Sequence, residues 1–431
     1  MASVISLCFH SVILIWIITV TRLHAAVPAI PADSFVESIC VNTHLHGSIY
    51  VTNYTALRAK LGECGIRYIR DETYSGTYAP AMDLYHSLGI KINILFGRGP
   101  SGPLPPFNLS NIEEEINQMK AQVLPAVITI ESPNEYDISH GSDVHWIERI
   151  RNYTQILYTK VKSDEILKAI PVIGPSLTSL QAFQAVGDLD QYINHPNLHI
   201  YQRYWPGFSD FVNYTSRTDL TGYFNFEARY QSPSRKPIHA TEGGYHNYLP
   251  QGGLSEEAEG KYMARMFAEY FRRGIVRTCQ YELADQVKTG GEGLFGLVRL
   301  NMTEKPAYRA VKNLISILTD KGSDFKPDSL NYALDGNINN IRHILFQKRN
   351  GSFYLMVWLE VSSWDVQNKT DLYPPSQQVI FTLLSNYNAS NATIYALDNN
   401  ADLNTFVLPF DNYQITLNVT DKISIIKLNP I

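Results

Sequence analysis

The sequence predicts an α/β protein, a (β/α)8 TIM barrel followed by a C-terminal β-sandwich domain. Three observations carry that prediction. From about residue 36 to 320, eight short apolar runs alternate with longer amphipathic stretches, at a mean interval of about 34 residues, the length of one strand–helix unit. Beyond them the pattern changes to short alternating segments separated by turns rich in Asn, Asp, Gly and Pro. No glycine-rich phosphate turn follows the first run, which argues against a doubly wound sheet.

In chain order, residues 4–20 form a mostly apolar run, followed by Arg22 and the small pair Ala25-Ala26. This reads as a signal peptide over residues 1–25, although no positive charge precedes the run. It is short for a membrane span, and Cys8, His10 and Ser11 interrupt it. No later segment looks transmembrane, so no stable membrane anchor is expected. Residues 27–35 are expected to add an edge strand to the sandwich. The barrel is assigned to residues 36–322, with strands at 39–42, 66–70, 91–95, 126–130, 169–173, 198–201, 237–241 and 278–281. Amphipathic stretches at 54–63, 78–88, 112–123, 143–163 and 255–273 lie between them, and 305–320 reads as the eighth helix. Residues 323–431 form the sandwich, with strands at 341–347, 352–360, 378–384, 392–397, 414–419 and 422–427. It is expected to be a packing partner of the barrel, because no solvent-facing aromatic row is evident.

Composition narrows the function. A net charge of −5 leaves no basic excess to neutralise phosphates, so nucleic acid is not an expected partner. After cleavage the chain keeps Cys40, Cys64 and Cys279, too few for a disulfide framework and leaving at least one unpaired. Asn53, Asn108, Asn152, Asn213, Asn301, Asn350, Asn368, Asn388, Asn391 and Asn418 each begin Asn-X-Ser/Thr. Such a load predicts a eukaryotic secretory route, N-linked glycans and an extracellular protein, with those loops on the surface.

Two strand ends carry the chemistry. Residues 128–137 read Ile-Thr-Ile-Glu-Ser-Pro-Asn-Glu-Tyr-Asp: an apolar β-branched run, a proline, then Asn134 and Glu135. Residues 237–244 repeat the form and place Glu242 before two glycines. In a parallel barrel all strands end at one face, so the ends of the fourth and seventh strands face each other across its mouth. Two opposed carboxylates are the minimum for glycoside cleavage.

Here the chain resembles the clan A glycoside hydrolases, retaining (β/α)8 glycosidases. Their acid/base glutamate follows an asparagine at the end of the fourth strand, as Glu135 follows Asn134. Their nucleophile ends the seventh strand, often as Thr-Glu-x-Gly, matched by Thr241-Glu242-Gly243-Gly244. A His-x-Tyr commonly closes the sixth, matched by His199-Ile200-Tyr201, and an arginine often closes the second, matched by Arg70. The resemblance spans about residues 36–320. The chain departs from it at Tyr136, where a proline is common, and at Tyr281-Glu282, where many members place a tryptophan. It implies a double displacement on an oligosaccharide or polysaccharide, with Glu242 as nucleophile and Glu135 as acid/base, and with no cofactor or metal. Arg70 and Tyr201 would keep Glu242 ionised, and Asn134 would donate to the sugar 2-hydroxyl. His199, His44, Trp205, Tyr245 and Glu282 are further candidates for substrate binding. Glu131, inside the fourth strand, is expected to support a barrel-lumen arginine.

Two alternatives remain at this stage. His44-Leu45-His46 at the first strand end looks like the His-x-His of metal-dependent amidohydrolases, with His199 and Asp285 as later ligands, but the fifth strand offers no ligand. A catalytically inactive glycan-binding barrel is the other.

Overall fold

A computed structural model describes residues 26–97, 108–202, 204–208, 220–385 and 387–430. The expected signal peptide and Asn213 lie outside the described residues. So does a proline-rich loop at 103–106 that the sequence suggests as a subsite wall. Among the described residues, no helix is long and apolar enough to cross a membrane.

Eight parallel strands build one sheet: Ile39–Asn42, Tyr68–Glu72, Lys91–Leu95, Val127–Glu131, Val172–Ile173, Asn197–Ile200, His239–Gly243 and Arg277–Gln280. The first pairs with both the second and the eighth. A parallel bridge from Ile173 to His195 joins the fifth to the sixth and closes the ring. The strands run parallel because each is followed by helical chain that crosses back over the outside, and one such crossover needs a dozen or more residues. The seventh strand sits two residues later than the apolar pattern predicts, which brings Glu242 into register with His199 of the sixth. Cys40 and Cys279 are register partners on the first and eighth strands and form a disulfide, while Cys64 is buried and free. Removing the bridge with Cys40→Ser and Cys279→Ser is expected to lower the unfolding free energy by about 2–5 kcal/mol, measured by denaturant titration.

The helix Glu256–Arg272 shows how the local sequence sets an element. Ser255 caps it by accepting from the Ala258 N–H at 3.0 Å, and Glu256 and Glu257 complement the helix dipole in the first turn. The helix is buried almost all round because the sandwich covers the side away from the barrel. Its Arg265, fully buried, donates to the carbonyls of Leu359 (3.1 Å) and Val361 (2.7 Å) and to Ser363 Oγ (3.0 Å) of the sandwich.

The sandwich has a four-stranded and a six-stranded sheet. The N-terminal segment enters both: Val27–Pro28 pairs with Ser329–Gly336, and Ile30–Pro31 with Ile341–Gln347. Phe353–Leu359 explains why one sandwich strand reads as an unbroken apolar run. Its residues Phe353, Leu355, Val357 and Leu359 fill the core between the sheets, while Tyr354, Met356 and Trp358 join the barrel core. Trp358 and Trp364 are both buried there, so neither is an exposed sugar platform.

Candidate active site

The strand ends surround a cavity of about 950 Å³. Arg70, Asn134, Glu135, Tyr201 and Glu242 all reach it. Inward positions alternate along each strand, so the sixth strand stacks Asn197, His199 and then Tyr201 from the barrel floor toward the mouth.

Arg70 is the hub. Its Nε and Nη2 grip the fully buried Glu131 at 2.9 and 2.8 Å, Nη1 donates to Glu242 Oε1 at 2.7 Å, and Nη2 also donates to Asn134 Oδ1 at 2.7 Å. Burial opposes the Arg70 charge, but Glu131 and Glu242 outweigh it and push its pKa further up. Burial likewise works to protonate Glu131, but the charge and hydrogen bonds of Arg70 prevail and hold its carboxyl below the ordinary range. Asn93 (2.6 Å), Thr241 (3.0 Å) and Asn197 (3.1 Å) donate to Glu131 as well. Because the Asn134 oxygen is taken by Arg70, its amide N–H groups are what it can offer a substrate.

Glu242 accepts from Arg70 on one oxygen and from the Tyr201 hydroxyl on the other, at 2.6 Å. Burial, with the nearby Glu242 charge, pushes the Tyr201 pKa well above the ordinary value, so Tyr201 stays a donor. Glu135 is held differently. Its Oε1 lies 2.7 Å from His199 Nδ1, and His199 Nε2 lies 3.1 Å from Thr241 Oγ1. The Thr241 hydroxyl has acceptors in Glu131 and in Asn197 Oδ1 (2.8 Å), so its lone pair faces His199. His199 Nδ1 also lies 3.4 Å from Glu242 Oε2, so this one ring stands between the two carboxyl groups. Thus Glu242 is held by an arginine and a tyrosine hydroxyl, and Glu135 by a histidine ring. One oxygen of Glu135, one of Glu242 and a His199 nitrogen all lie within 4.8 Å of one another.

The backbone at Glu135 is strained, with φ at 42°. A non-glycine residue there costs about 1–3 kcal/mol and persists only where its surroundings demand it. The Glu135 N–H bonds the Ser176 carbonyl at 3.1 Å. Asp137 accepts from the Thr178 N–H and hydroxyl at 2.9 and 2.7 Å. Tyr136, fully buried, donates to Asp143 at 2.9 Å. A proline in its place could not make that contact.

Three candidates for substrate binding are corrected. His199 is fully buried and does not line the cavity; it sits one layer below Tyr201 and holds Glu135. Glu282 is also fully buried and accepts from the Tyr50 hydroxyl at 2.8 Å and Gln286 Nε2 at 2.7 Å, with His44 Nε2 3.6 Å away. It therefore backs the cavity wall. Trp205 is not among the described lining residues, because it packs on Phe208 with ring centroids 4.8 Å apart. Tyr245 lines the cavity, but its hydroxyl donates to the Tyr204 carbonyl at 3.0 Å. His44 lines it too, and so do Tyr281, where many clan A members place a tryptophan, and Phe295, which sequence reasoning missed because apolar packing explains a loop aromatic equally well. Asn93 had a usable signal, a polar residue in the middle of the apolar run Lys91–Leu95. The amidohydrolase alternative does not fit: His44 approaches Glu282, whereas His46 lies 3.8 Å from Glu72 and 3.9 Å from Asp71. Neither belongs to the one ligand-competent cluster among the described residues, and in that cluster Glu242 is already occupied by Arg70.

Burial pushes the carboxyls of Glu259 and Glu282 up to about 8. The folded chain keeps these protons after the unfolded chain, with glutamates near about 4.3, has released them. Their contribution to stability is thus fully present below about pH 4 and is lost as pH rises toward about 8. Melting temperature is expected to fall across that window, and Glu259→Gln to flatten the slope.

No family model matches the sequence, and no curated protein matches it. Solved structures do match. A family 39 glycoside hydrolase from the gut symbiont Bacteroides cellulosilyticus WH2 aligns with 94% of this chain and 83% of its own, at 15% identity and a TM-score of 0.61. The two chains share a fold. A family 39 enzyme from Xanthomonas axonopodis pv. citri gives 0.59 at 14% identity, covering 96% and 100% of the two chains. A family 30 endoxylanase from Clostridium papyrosolvens C71 gives 0.53 at 12% identity, covering 94% and 98%. At such identities the likeness is one of fold, and barrel and sandwich recur together in it.

Proposed function

We propose that this protein is a secreted retaining glycoside hydrolase. The observation that carries the proposal is the pair Glu135 and Glu242, on opposed strands with carboxyl oxygens within 4.8 Å. Retaining enzymes hold their carboxyl groups about 5–5.5 Å apart, and inverting enzymes about 6.5–9.5 Å to admit a water. The unequal surroundings of the two groups support unequal roles. Glu242 attacks the anomeric carbon as the bond to the leaving oxygen breaks, and Glu135 gives that oxygen its proton. Water then attacks the same carbon, Glu135 takes a proton from it, and the bond to Glu242 breaks. Asn134 donates to the sugar 2-hydroxyl as charge develops on the ring. Proton NMR of the first-formed product is expected to show the anomeric configuration of the substrate. A product of opposite configuration would remove the nucleophile role from Glu242.

Secretion is supported by the apolar residues 4–20, by the Cys40–Cys279 disulfide and by the sequons. None of the nine sequon asparagines among the described residues is buried. Expression in a eukaryotic host, with N-terminal sequencing and an amidase-induced mass shift, tests this reading.

A further inference from the structure

A second cavity lies on the opposite face of the barrel from Glu135 and Glu242. It opens beside Pro196 and Ile238, which directly precede the sixth and seventh strands. Its volume is about 280 Å³, and Arg229, Arg235, Lys236 and Arg273 line it, with no carboxylate among the described lining residues. Four cations around one hollow stand out in a chain of net charge −5.

Two of these cations are committed. Lys236 Nζ donates to the carbonyls of Asp190 and Ile193, and Arg273 Nε donates to Glu269 at 2.9 Å. The other two are not. Arg229 Nη2 donates to Asn225 Oδ1 at 3.2 Å, while its Nε is buried with no acceptor among the described residues. Arg265 and Arg342 also bury an Nε without a partner among the described residues, so it is the position of Arg229 in a cationic hollow, rather than the orphan donor alone, that points to a ligand. The Arg235 side chain makes no hydrogen bond or ion pair among the described residues. Its backbone is held at φ 64°, in a turn where Asp190 accepts from Ser232 Oγ at 2.5 Å and from the Ser234 N–H at 2.8 Å. The turn therefore fixes where Arg235 stands. The aromatic Phe224 also lines the hollow, with Pro196 and Ile238.

Guanidinium groups match planar carboxylate or sulfate oxygens in pairs, and an aromatic face suits the C–H face of a pyranose. We infer that this cavity binds an acidic sugar residue, a uronate or sulfated pyranose of a polyanionic glycan, with Arg229 and Arg235 on the anion and Phe224 against the ring. Bound there, the glycan leaves the catalytic mouth open on the far side, so the site tethers the enzyme without blocking turnover.

The test titrates the full-length protein by calorimetry with a heparin tetrasaccharide, tetragalacturonate, neutral cellotetraose and sodium sulfate at low ionic strength. At least one acidic tetrasaccharide is expected to bind, more weakly as salt rises. Arg229→Gln with Arg235→Gln is expected to weaken that binding at least about tenfold, a loss of about 1.4 kcal/mol, with melting temperature unchanged. Phe224→Ala is expected to weaken the tetrasaccharide but not sulfate. Failure of both acidic tetrasaccharides to bind, binding indifferent to the double substitution, or sulfate and cellotetraose matching them in affinity would each overturn the inference. The readout is binding, so it stands or falls independently of the hydrolase proposal.

Discussion

Glu242→Ala is expected to lower kcat by about 10⁴-fold or more, about 5.5 kcal/mol of activation free energy, on any glycan the protein cleaves. The fold should tolerate the change, since Arg70 keeps Glu131 and Asn134 as partners. The substitution also opens a space at which Arg70 Nη1 and the Tyr201 hydroxyl are still aimed. A small anion fits there. With an aryl glycoside whose leaving group needs no proton, azide is expected to restore turnover and give a glycosyl azide of inverted configuration. Glu135→Ala opens space on the other side of the sugar, and azide there should attack the glycosyl-enzyme and give the retained configuration. The two products separate the two roles. A Glu242→Ala protein within about tenfold of the parent, or azide products of the opposite pattern, would sink the assignment.

Arg70→Met is expected to cost about 3–5 kcal/mol of stability and nearly all activity. The reason is not the loss of one attraction. Arg70 is 6% exposed and Glu131 fully buried, so the substitution strands a charge away from water. Arg70→Lys should recover little, because one ammonium cannot reproduce the paired grip on Glu131 together with the bonds to Glu242 and Asn134. Arg70→Met combined with Glu131→Met removes both charges and should return much of the stability. It should not return activity, since Glu242 then keeps Tyr201 but no cation. Denaturant unfolding and kcat on the same three proteins read the two effects apart. If the double variant regains activity along with stability, Arg70 acts only as part of the scaffold.

The barrel was legible because most strands hold short apolar runs buried from both sides, and six of the eight are followed by a helix of eleven residues or more. The roles of Glu131 and Arg70 were legible too, since a charge inside an apolar strand needs a partner in the lumen. His199 was placed among sugar contacts because adjacency to Tyr201 in sequence says nothing of depth. Only the two-residue period, with the strand's true ends, sets it one layer below the mouth. Glu282 failed for a related reason: its partners Tyr50 and Gln286 sit on different loops, and no local pattern joins them. Trp205 follows the sixth strand as expected, but which way a loop aromatic turns depends on Phe208 and the core behind it. Closure of the barrel makes the first and eighth strands neighbours, but that Cys40 and Cys279 fall into register on them is a detail the spacing of the runs does not carry.

That pairing has a consequence for a cut chain. Cys40 and Cys279 stand 239 positions apart, and both Glu135 and Glu242 fall inside the interval. A single backbone cleavage anywhere between the two cysteines would yield two polypeptides that migrate as one species until a reductant is added. The catalytic pair would stay within one covalently joined molecule, so a nicked, two-chain form of this protein is expected to remain assembled around its site.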